Sequence, residues 1–302
     1  MSFHHHISEL HQFLLGTQSH LCDRLSLEQD NAFHTTSRLH ERHHSHIALI
    51  EDAVIERGAI NVSAIHGHTL PQAASERHPE CIGHSFEVTG LSMIMHPRNP
   101  HAPTMHANLR MFVGGPEKSV RWIGGGMDLT PYYAYEEDII HWHKTISKCC
   151  DGFGEDLYPA FKKECDSYFY LPHRKEHRGV GGIFFDDVSW PYAKAKGFIE
   201  ALAQCIEQAY IPLLTKRYTA PYTAAQKSFQ LMRRGRYVEF NLMYDRGTRF
   251  GLEFGSQPDQ ILVSLPPAQW HYDFAITPGS HEDKLSTYLQ PQEWLNYELS
   301  SA

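Results

Sequence analysis

The sequence lacks the features that would indicate a membrane protein or a cysteine-bound cofactor. No apolar run approaches the ~18 residues that a membrane-spanning helix needs, and the first ten residues, MSFHHHISEL, carry no targeting signal. None of the six cysteines has C-x-x-C spacing, so zinc-ribbon, thioredoxin-like and iron–sulfur sites lose their usual support. We therefore expect no membrane span, free thiols and a cytoplasmic location.

A block of basic residues is also absent. The net charge is −8, and no Lys/Arg run is long enough to follow a phosphate backbone, which argues against nucleic acid as a partner. An anionic ligand would need a local basic pocket, for which Arg233, Arg234 and Arg236 are candidates. The run Gly124–Gly126 is not a G-x-G-x-x-G motif, so a dinucleotide site is not expected. Three glycines predict a sharp bend or a close approach of the backbone to a ligand.

The pattern of apolar residues predicts a single α+β domain that spans 1–302. Helical spacing marks the N-terminal segment and three later ones, 136–150, 155–170 and 192–217. Strand character is found around 47–63, in two strands near 91–96 and 105–112, and at 180–187, 236–244, 248–254 and 260–265. Strands that pair locally, with helices grouped between them, predict a large antiparallel β-sheet flanked by α-helices.

One predicted hairpin concentrates polar side chains. Ser92 and His96 share a face of its first strand, and His106, Asn108 and Arg110 share a face of its second. If the two faces coincide, they form one polar patch on an otherwise apolar sheet. The patch is either a ligand site or the solvent face of an amphipathic sheet, and the absence of Lys and Glu favours the ligand site.

Other histidines and acids have two interpretations each. His143 lies on the apolar stripe of its helix, where a histidine is more often a hydrogen-bonded core residue than a ligand. Asp186 and Asp187 end an apolar strand, where they are turn residues or acceptors for N–H groups of a ligand. Of the 23 histidines, many lie at 4–6 and 40–46, a distribution more typical of solvated surface than of ligands.

Several long runs closely resemble the oxygen-dependent coproporphyrinogen III oxidases. They occur in collinear order between about Gly83 and Trp294, and read HPRNPHAPTMHANLRMF, WIGGGMDLTPYY, IHWHK, YFYLPHR, GGIFFDD and RRGRYVEFNLMYDRGT. The resemblance implies an α+β fold assembled as a homodimer, with 236–273 building much of the interface. It also implies a reaction: oxidative decarboxylation of the ring A and ring B propionates of coproporphyrinogen III, giving protoporphyrinogen IX, with O2 as acceptor and CO2 and H2O2 released.

The resemblance also implies roles for particular residues. His106 would be the proton donor, and substrate would contact Ser92, Asn108, Leu109, Arg110 and the turn of Gly255, Ser256 and Gln257. A divalent metal would be held by His96, His106, His143 and His173, although the substrate can react with O2 directly, so no cofactor is obligatory. From the chemistry of the substrate, rather than from the resemblance, a carboxylate such as Asp186 would accept the pyrrole N–H groups; nothing in the sequence distinguishes it from Asp187 in this role.

Two departures from the family pattern stand out. The family usually has a glycine-rich stretch before the first hairpin, where this chain reads SRLHERHHSHIAL. The family turn commonly ends in Arg, where this chain has Gln257.

Three rival functions remain at this stage. A mononuclear non-haem iron oxygenase needs a His-x-Asp/Glu pair, which the motif histidines lack. An oxygen-independent radical enzyme needs a cysteine-bound cluster, which the cysteine spacing does not support. A tetrapyrrole carrier would bind the ligand without consuming O2.

Overall fold

A seven-stranded antiparallel sheet forms the centre of the molecule. The computed structural model describes residues 5–26, 32–40, 43–70, 76–253 and 258–297. The sheet strands are β1 (His34–His40), β2 (His43–Ile50), β3 (Ile55–Gly67), β4 (Phe86–Pro97), β5 (Thr104–Gly114), β6 (Val120–Thr130) and β9 (Gly181–Val188). Across the sheet they lie in the order β1-β2-β3-β4-β5-β6-β9. A short hairpin of β7 (Tyr170–Leu171) and β8 (Glu176–His177) stands apart from it.

Helices lie on both faces of this sheet. They are α1 (His5–Ser26), α2 (Glu136–Asp151), α3 (Leu157–Tyr168), α4 (Tyr192–Arg217), α5 (Ala224–Met243), α6 (Arg246–Glu253), α7 (Pro258–Leu262) and α8 (His281–Tyr288). On one face, α1 and α4 bury the main apolar core, which includes Met105, Ala107, Leu109 and Met111 of β5. We call this the core face. On the other face, α5 packs Tyr237 against His96 of β4, with the ring centroids 4.9 Å apart.

The predicted fold class is confirmed: the protein is α+β, with a large antiparallel sheet flanked by helices. The helix predicted at 192–217 has those bounds, and the predicted hairpin is the β4–β5 pair. The helices predicted at 136–150 and 155–170 are α2 and α3, with ends shifted by one or two residues.

The strands predicted at 236–244, 248–254 and 260–265 are wrong. The structure has α5, α6 and α7 in these segments, although residues 254–257 lie outside the described range. The buried residues Tyr237, Val238, Phe240 and Asn241 fit helical spacing as well as a strand. A capping box in which Thr223 and Gln226 bond each other's backbone N–H groups begins α5, and the prediction overlooked it.

Candidate active site

The strand register places the polar side chains of the hairpin on one face. Ser92 lies opposite Asn108, and Ile94 lies opposite His106. His96, Asn108 and Arg110 therefore share this face, which is opposite the core face. We call it the polar face, and its existence confirms the expectation that the two strands present their polar residues together.

His106 is held by a buried carboxylate on the neighbouring strand. Its Nδ1 lies 2.7 Å from Oδ1 of Asp128, which faces it across the β5–β6 pair. Arg178 donates to the same carboxylate from Nη2, at 2.8 Å from Oδ1 and 2.9 Å from Oδ2. The Arg178 and Asp128 side chains are only 1% and 2% exposed, so this is a dry, fully paired network.

Aromatic rings keep Arg178 in place. Its guanidinium carbon lies 4.2 Å from the ring centroid of Phe169, 4.5 Å from that of Tyr237 and 4.7 Å from that of Phe240. Burial opposes ionisation of Asp128, but the Arg178 charge and the His106 hydrogen bond outweigh it and lower the pKa of Asp128 below its usual value. Asp128 is therefore a carboxylate that fixes one nitrogen of the His106 ring.

A second cluster gathers arginines around Asp186. Arg110 Nη2 lies 3.0 Å from Oδ1, while Arg77 Nη1 and Arg246 Nη1 each lie 3.2 Å from Oδ2. Arg77 also pairs with Asp187, so three guanidinium groups face two carboxylates. Burial opposes ionisation of Asp186, but the arginine charges dominate and lower its pKa. We call these five residues the arginine cluster.

The absence of side chains at the glycine run of β6 leaves room for the arginine cluster. A Cβ added at Gly124 would lie 2.7 Å from Oδ1 of Asp186 and 3.0 Å from Nη2 of Arg110. One at Gly126 would lie 2.6 Å from the carbonyl oxygen of Ile183 on β9. The glycines permit close approach of protein groups, namely Asp186, Arg110 and the β9 backbone. The predicted sharp bend is absent, because β6 continues through them as a strand, with a register shift between β6 and β9. The predicted close approach to a ligand stays a prediction.

The structure does not bring every predicted residue to the polar face. The Leu109 side chain is fully buried in the core on the other side of the sheet, so it cannot contact a ligand on the polar face. The three arginines of α5 form ion pairs within the protein. Arg233 and Arg236 both pair with Glu176, and Arg234 pairs with Glu56. These ion pairs connect α5 to the rest of the chain. Gly255, Ser256 and Gln257 lie outside the described residues.

The four histidines assigned to a metal do not form one site. His143 lies in the core, where its Nδ1 is 2.7 Å from the Tyr158 hydroxyl and its Nε2 is 3.1 Å from the Val180 carbonyl oxygen. Both nitrogens of His173 are also engaged, with Glu239 at 2.7 Å and Tyr244 at 2.9 Å. Within the described ranges no three His, Cys, Asp or Glu side chains are arranged to hold a metal ion.

The remaining member of that set, His96, is fully buried on the polar face. Its Nδ1 lies 2.9 Å from the Thr104 hydroxyl. Burial lowers its pKa well below the usual value, and the nearby positive charges of Arg234 and Arg178 add to this effect. His96 is therefore a neutral ring beside the catalytic candidate His106 rather than a charged one.

Four residues of the two clusters were missed by the sequence reasoning. Asp128 stands in the run Gly-Met-Asp-Leu, and an acid inside an apolar strand is a signal that could have been used. Arg77, Arg178 and Arg246 carry no such signal, because they reach the sheet from loops and helices far along the chain. None of the described helices combines the length and the apolar composition that crossing a bilayer requires.

Comparison with known proteins identifies the family of the chain. Residues 9–294 match the family model described as coproporphyrinogen III oxidase. The chain is 47% identical over 300 residues to a Coxiella burnetii (strain RSA 331 / Henzerling II) protein named oxygen-dependent coproporphyrinogen-III oxidase, with 96% of each chain covered. It is 51% identical over 253 residues to the protein of the same name from strain RSA 493 / Nine Mile phase I, with 82% of each covered. The chain belongs to the coproporphyrinogen III oxidase family.

Proposed function

We propose that this protein is an oxygen-dependent coproporphyrinogen III oxidase of haem biosynthesis, which converts two propionate side chains of its substrate into vinyl groups. The observation that carries the proposal is a histidine on the polar face of the sheet, held by the Asp128–Arg178 pair. A second basic site lies on the same strand, four residues further along, at Arg110. Since alternate residues of a strand are ~6.6 Å apart, the Cα atoms of His106 and Arg110 are separated by about 13 Å.

The reaction requires a proton at each step. A propionate loses CO2 and a hydrogen with its electron pair, O2 accepts that hydrogen and the electrons, and one proton completes H2O2. His106 is suited to supply it, because Asp128 fixes Nδ1 and leaves Nε2 for the reacting species. The carboxylate also compensates a positive charge on the ring, so His106 can be reprotonated between the two decarboxylations.

The arginine cluster is suited to the substrate carboxylates. Three guanidinium groups face two carboxylates, which leaves an excess of one positive charge for an anionic group. Ser92 and Asn108 lie on the same face and complete the proposed binding surface. Asp186 forms ion pairs with three arginines, so we infer that its chief role is to position them. A pyrrole N–H group would have to share the carboxylate.

The four family histidines are in separate environments, and we therefore propose that the reaction needs no metal held by them. His143 and His173 have both ring nitrogens engaged by protein groups. His106 cannot donate a proton from a nitrogen that coordinates an ion. O2 can react directly with an electron-rich deprotonated pyrrole, so the chain's own residues need only bind, orient and supply protons.

A homodimer is supported by the surface of the C-terminal part. Six of the ten large apolar side chains exposed in the described ranges fall within 236–273: Leu242, Met243, Leu252, Leu262, Trp270 and Tyr272. Such a concentration is typical of an interface rather than of free surface. We propose that a second copy of the chain covers it. The cytoplasmic location remains a prediction.

A single experiment tests the proposed reaction. Purified protein is mixed with coproporphyrinogen III under strict anaerobiosis, O2 is then admitted, and products are separated by chromatography. We expect no product before O2, and afterwards O2 consumption in proportion to vinyl groups, without added flavin, nicotinamide or S-adenosylmethionine. Product formed without O2 would support radical chemistry, and tight binding without O2 consumption would support a carrier. Either result would overturn the proposal.

A further inference from the structure

Strand β3 adds a third polar residue to the row that Ser92 and Asn108 form across the sheet. Asn61 of β3 lies opposite Ser92 of β4, which in turn lies opposite Asn108 of β5. Residues that face one another across antiparallel strands point to the same side of the sheet, so all three belong to the polar face. Neighbouring strands are ~4.8 Å apart, which places Asn61 and Asn108 about 10 Å from each other.

The polar face is open to a ligand as far as β3. Ile60 and Val62 of this strand point to the core face and are fully buried, whereas Asn61 and Ser63 point the other way and are half-buried. The same alternation of half-buried and buried residues continues on β4 and β5. A macrocycle of four pyrroles is wider than the ~4.8 Å between neighbouring strands. A substrate with a propionate at His106 of β5 can therefore extend over β4 to β3.

The amide of Asn61 has an unsatisfied oxygen. Its Oδ1 is buried and accepts no hydrogen bond from the described residues. Such an oxygen has lost its water without gaining a donor, which costs free energy.

Another asparagine, Asn99 in the loop after β4, shows the usual arrangement. Its Nδ2 donates to the carbonyl oxygens of Tyr218 and Ala220 at 3.0 and 2.7 Å, and its Oδ1 accepts from the backbone N–H of His101 at 2.9 Å. The amide of Asn99 is satisfied by the fold, whereas the oxygen of Asn61 depends on a donor from outside the protein.

Arginines already engage three other acceptors of the polar face. The carboxylates of Asp128 and Asp186 each form an ion pair with an arginine. The Oδ1 of Asn108 accepts from Nη1 of Arg110 at 3.1 Å. A porphyrinogen brings pyrrole N–H groups, and each of them needs an acceptor where the protein displaces water. The oxygen of Asn61 is an acceptor that no arginine occupies.

We propose that Asn61 is a substrate-binding residue whose Oδ1 accepts a hydrogen bond from a pyrrole N–H group of the porphyrinogen. This inference rests on the proposed function and extends its binding surface to β3. A neutral amide oxygen accepts the N–H group without drawing arginines away from the propionates. The bond holds the macrocycle in one orientation relative to His106, so Asn61 acts on binding rather than on proton transfer.

Two consequences distinguish this role from a structural one. In the free protein the unpaired oxygen is destabilising, so Asn61→Leu, which keeps the branched shape without the polar atoms, should not lower the melting temperature. In the complex the same change removes one neutral hydrogen bond, so it should raise KM about 3- to 10-fold with a smaller effect on kcat. Asn99→Leu should do the reverse, because it breaks three hydrogen bonds of the fold and lies outside the strands of the sheet.

The experiment compares the wild-type full chain with Asn61→Leu, Asn61→Asp and Asn99→Leu. The dissociation constant of coproporphyrinogen III is measured by fluorescence titration under strict anaerobiosis, and initial rates are measured after O2 is admitted. Melting temperatures are recorded without substrate. We expect weaker binding without loss of stability for Asn61→Leu, and lower stability with unchanged binding for Asn99→Leu. Asn61→Ala repeats the comparison with a smaller side chain in case leucine disturbs the sheet.

Asn61→Asp determines which end of the amide binds the substrate. A carboxylate still accepts an N–H bond, but it has no donor and repels the propionates. If Oδ1 accepts from a pyrrole, the dissociation constant of Asn61→Asp should stay below that of Asn61→Leu. A higher value would mean that the amide donates to a propionate and would overturn the proposal. Unchanged binding in the folded Asn61→Leu and Asn61→Ala variants would overturn it as well.

The same measurements separate the role of Asn61 from the proposed reaction. Wild type that binds coproporphyrinogen III but does not turn it over in O2 would contradict the reaction, while the binding comparison would still decide the role of Asn61. Wild type that neither binds nor turns over this substrate would contradict both.

Discussion

His143, on α2 above the core face, and His106, on the polar face, are two histidines with opposite roles. His143 bonds Tyr158 and the Val180 carbonyl oxygen, stacks on Trp294, and has its pKa lowered to about 3, chiefly by burial. His106 of the polar face is partly exposed and bonds an ionised carboxylate through one nitrogen only. A buried ring with two neutral partners serves packing, while a ring with one charged partner and one available nitrogen can move a proton.

The largest effect is expected from truncating these two histidines in parallel. His106→Ala should lower turnover ~100- to 10,000-fold, because it removes the proton donor, and cost only about 1–2 kcal/mol of unfolding free energy. His143→Ala should cost about 2–5 kcal/mol, because it leaves a cavity and two unbonded partners. Its turnover per folded molecule should stay within about threefold of the wild type, a limit far below the loss expected for an acid–base group.

Steady-state rates normalised to folded protein, together with urea unfolding, separate the two outcomes. If His106→Ala retains more than about a third of wild-type activity, far above that expectation, His106 is not the proton donor. If His143→Ala loses turnover while keeping its stability, the contrast between the faces fails.

The next effect concerns the buried pair that holds His106. Arg178→Met should cost about 3–5 kcal/mol, because it leaves Asp128 charged and unpaired in the interior. Arg178→Met/Asp128→Asn should recover part of that stability but not the turnover, since a neutral amide no longer positions the ring as an ionised carboxylate does. Unfolding curves and rates for both variants check this. Restored turnover in the double variant would show that the pair is purely structural.

The sequence predicted the polar face better than the groups that support it. Alternation along β4 and β5, with a proline-rich loop between them, specifies both the hairpin and the shared face of Ser92, His106 and Arg110. Asp128 and Arg178 reach His106 from β6 and from the loop before β9, so their contacts depend on sheet order, which local patterns do not encode. The strand predicted at 236–244 failed because aromatic and β-branched residues outweighed the helix start at Thr223.

The pH dependence of stability tests whether the fold holds His143 in its neutral form. The folded pKa of His143 is about 3 and the unfolded value is 6.5, so the unfolded chain binds the proton first as pH falls. Stability is therefore complete above pH 6.5 and declines below it, by at most about 1.4 kcal/mol per pH unit from this residue. Between pH 6.5 and 4.5, Asp128 and Asp186 contribute little to the pH dependence of stability, because the pKa of an aspartate in the unfolded chain lies near 4.

The comparison is between wild type and His143→Gln, by urea unfolding at several pH values. The variant should show a shallower decline, and the slope that remains should include His11, whose pKa is about 4. Equal slopes for both proteins would mean that His143 is not held neutral by the fold.

A smaller effect is expected at the arginine cluster. Arg246→Gln should raise KM about 3- to 10-fold with little change in kcat, because its half-exposed guanidinium binds a substrate carboxylate rather than the reacting carbon. Arg233→Gln is the matched control, since Arg233 pairs with Glu176 away from this cluster. Initial rates against substrate concentration distinguish them. Equal KM values for the two variants would remove Arg246 from the binding surface.

The smallest effect is expected from removing metal. Exhaustive chelation should leave most of the turnover, because His143 and His173 have both nitrogens engaged and His106 is needed as a proton donor. Elemental content, melting temperature and rates are measured before and after chelation, and again after single ions are added back. If turnover disappears and one ion, such as manganese or iron, restores it, then the family histidines rearrange into a working site, and the division between the two faces is less strict than their hydrogen bonds indicate.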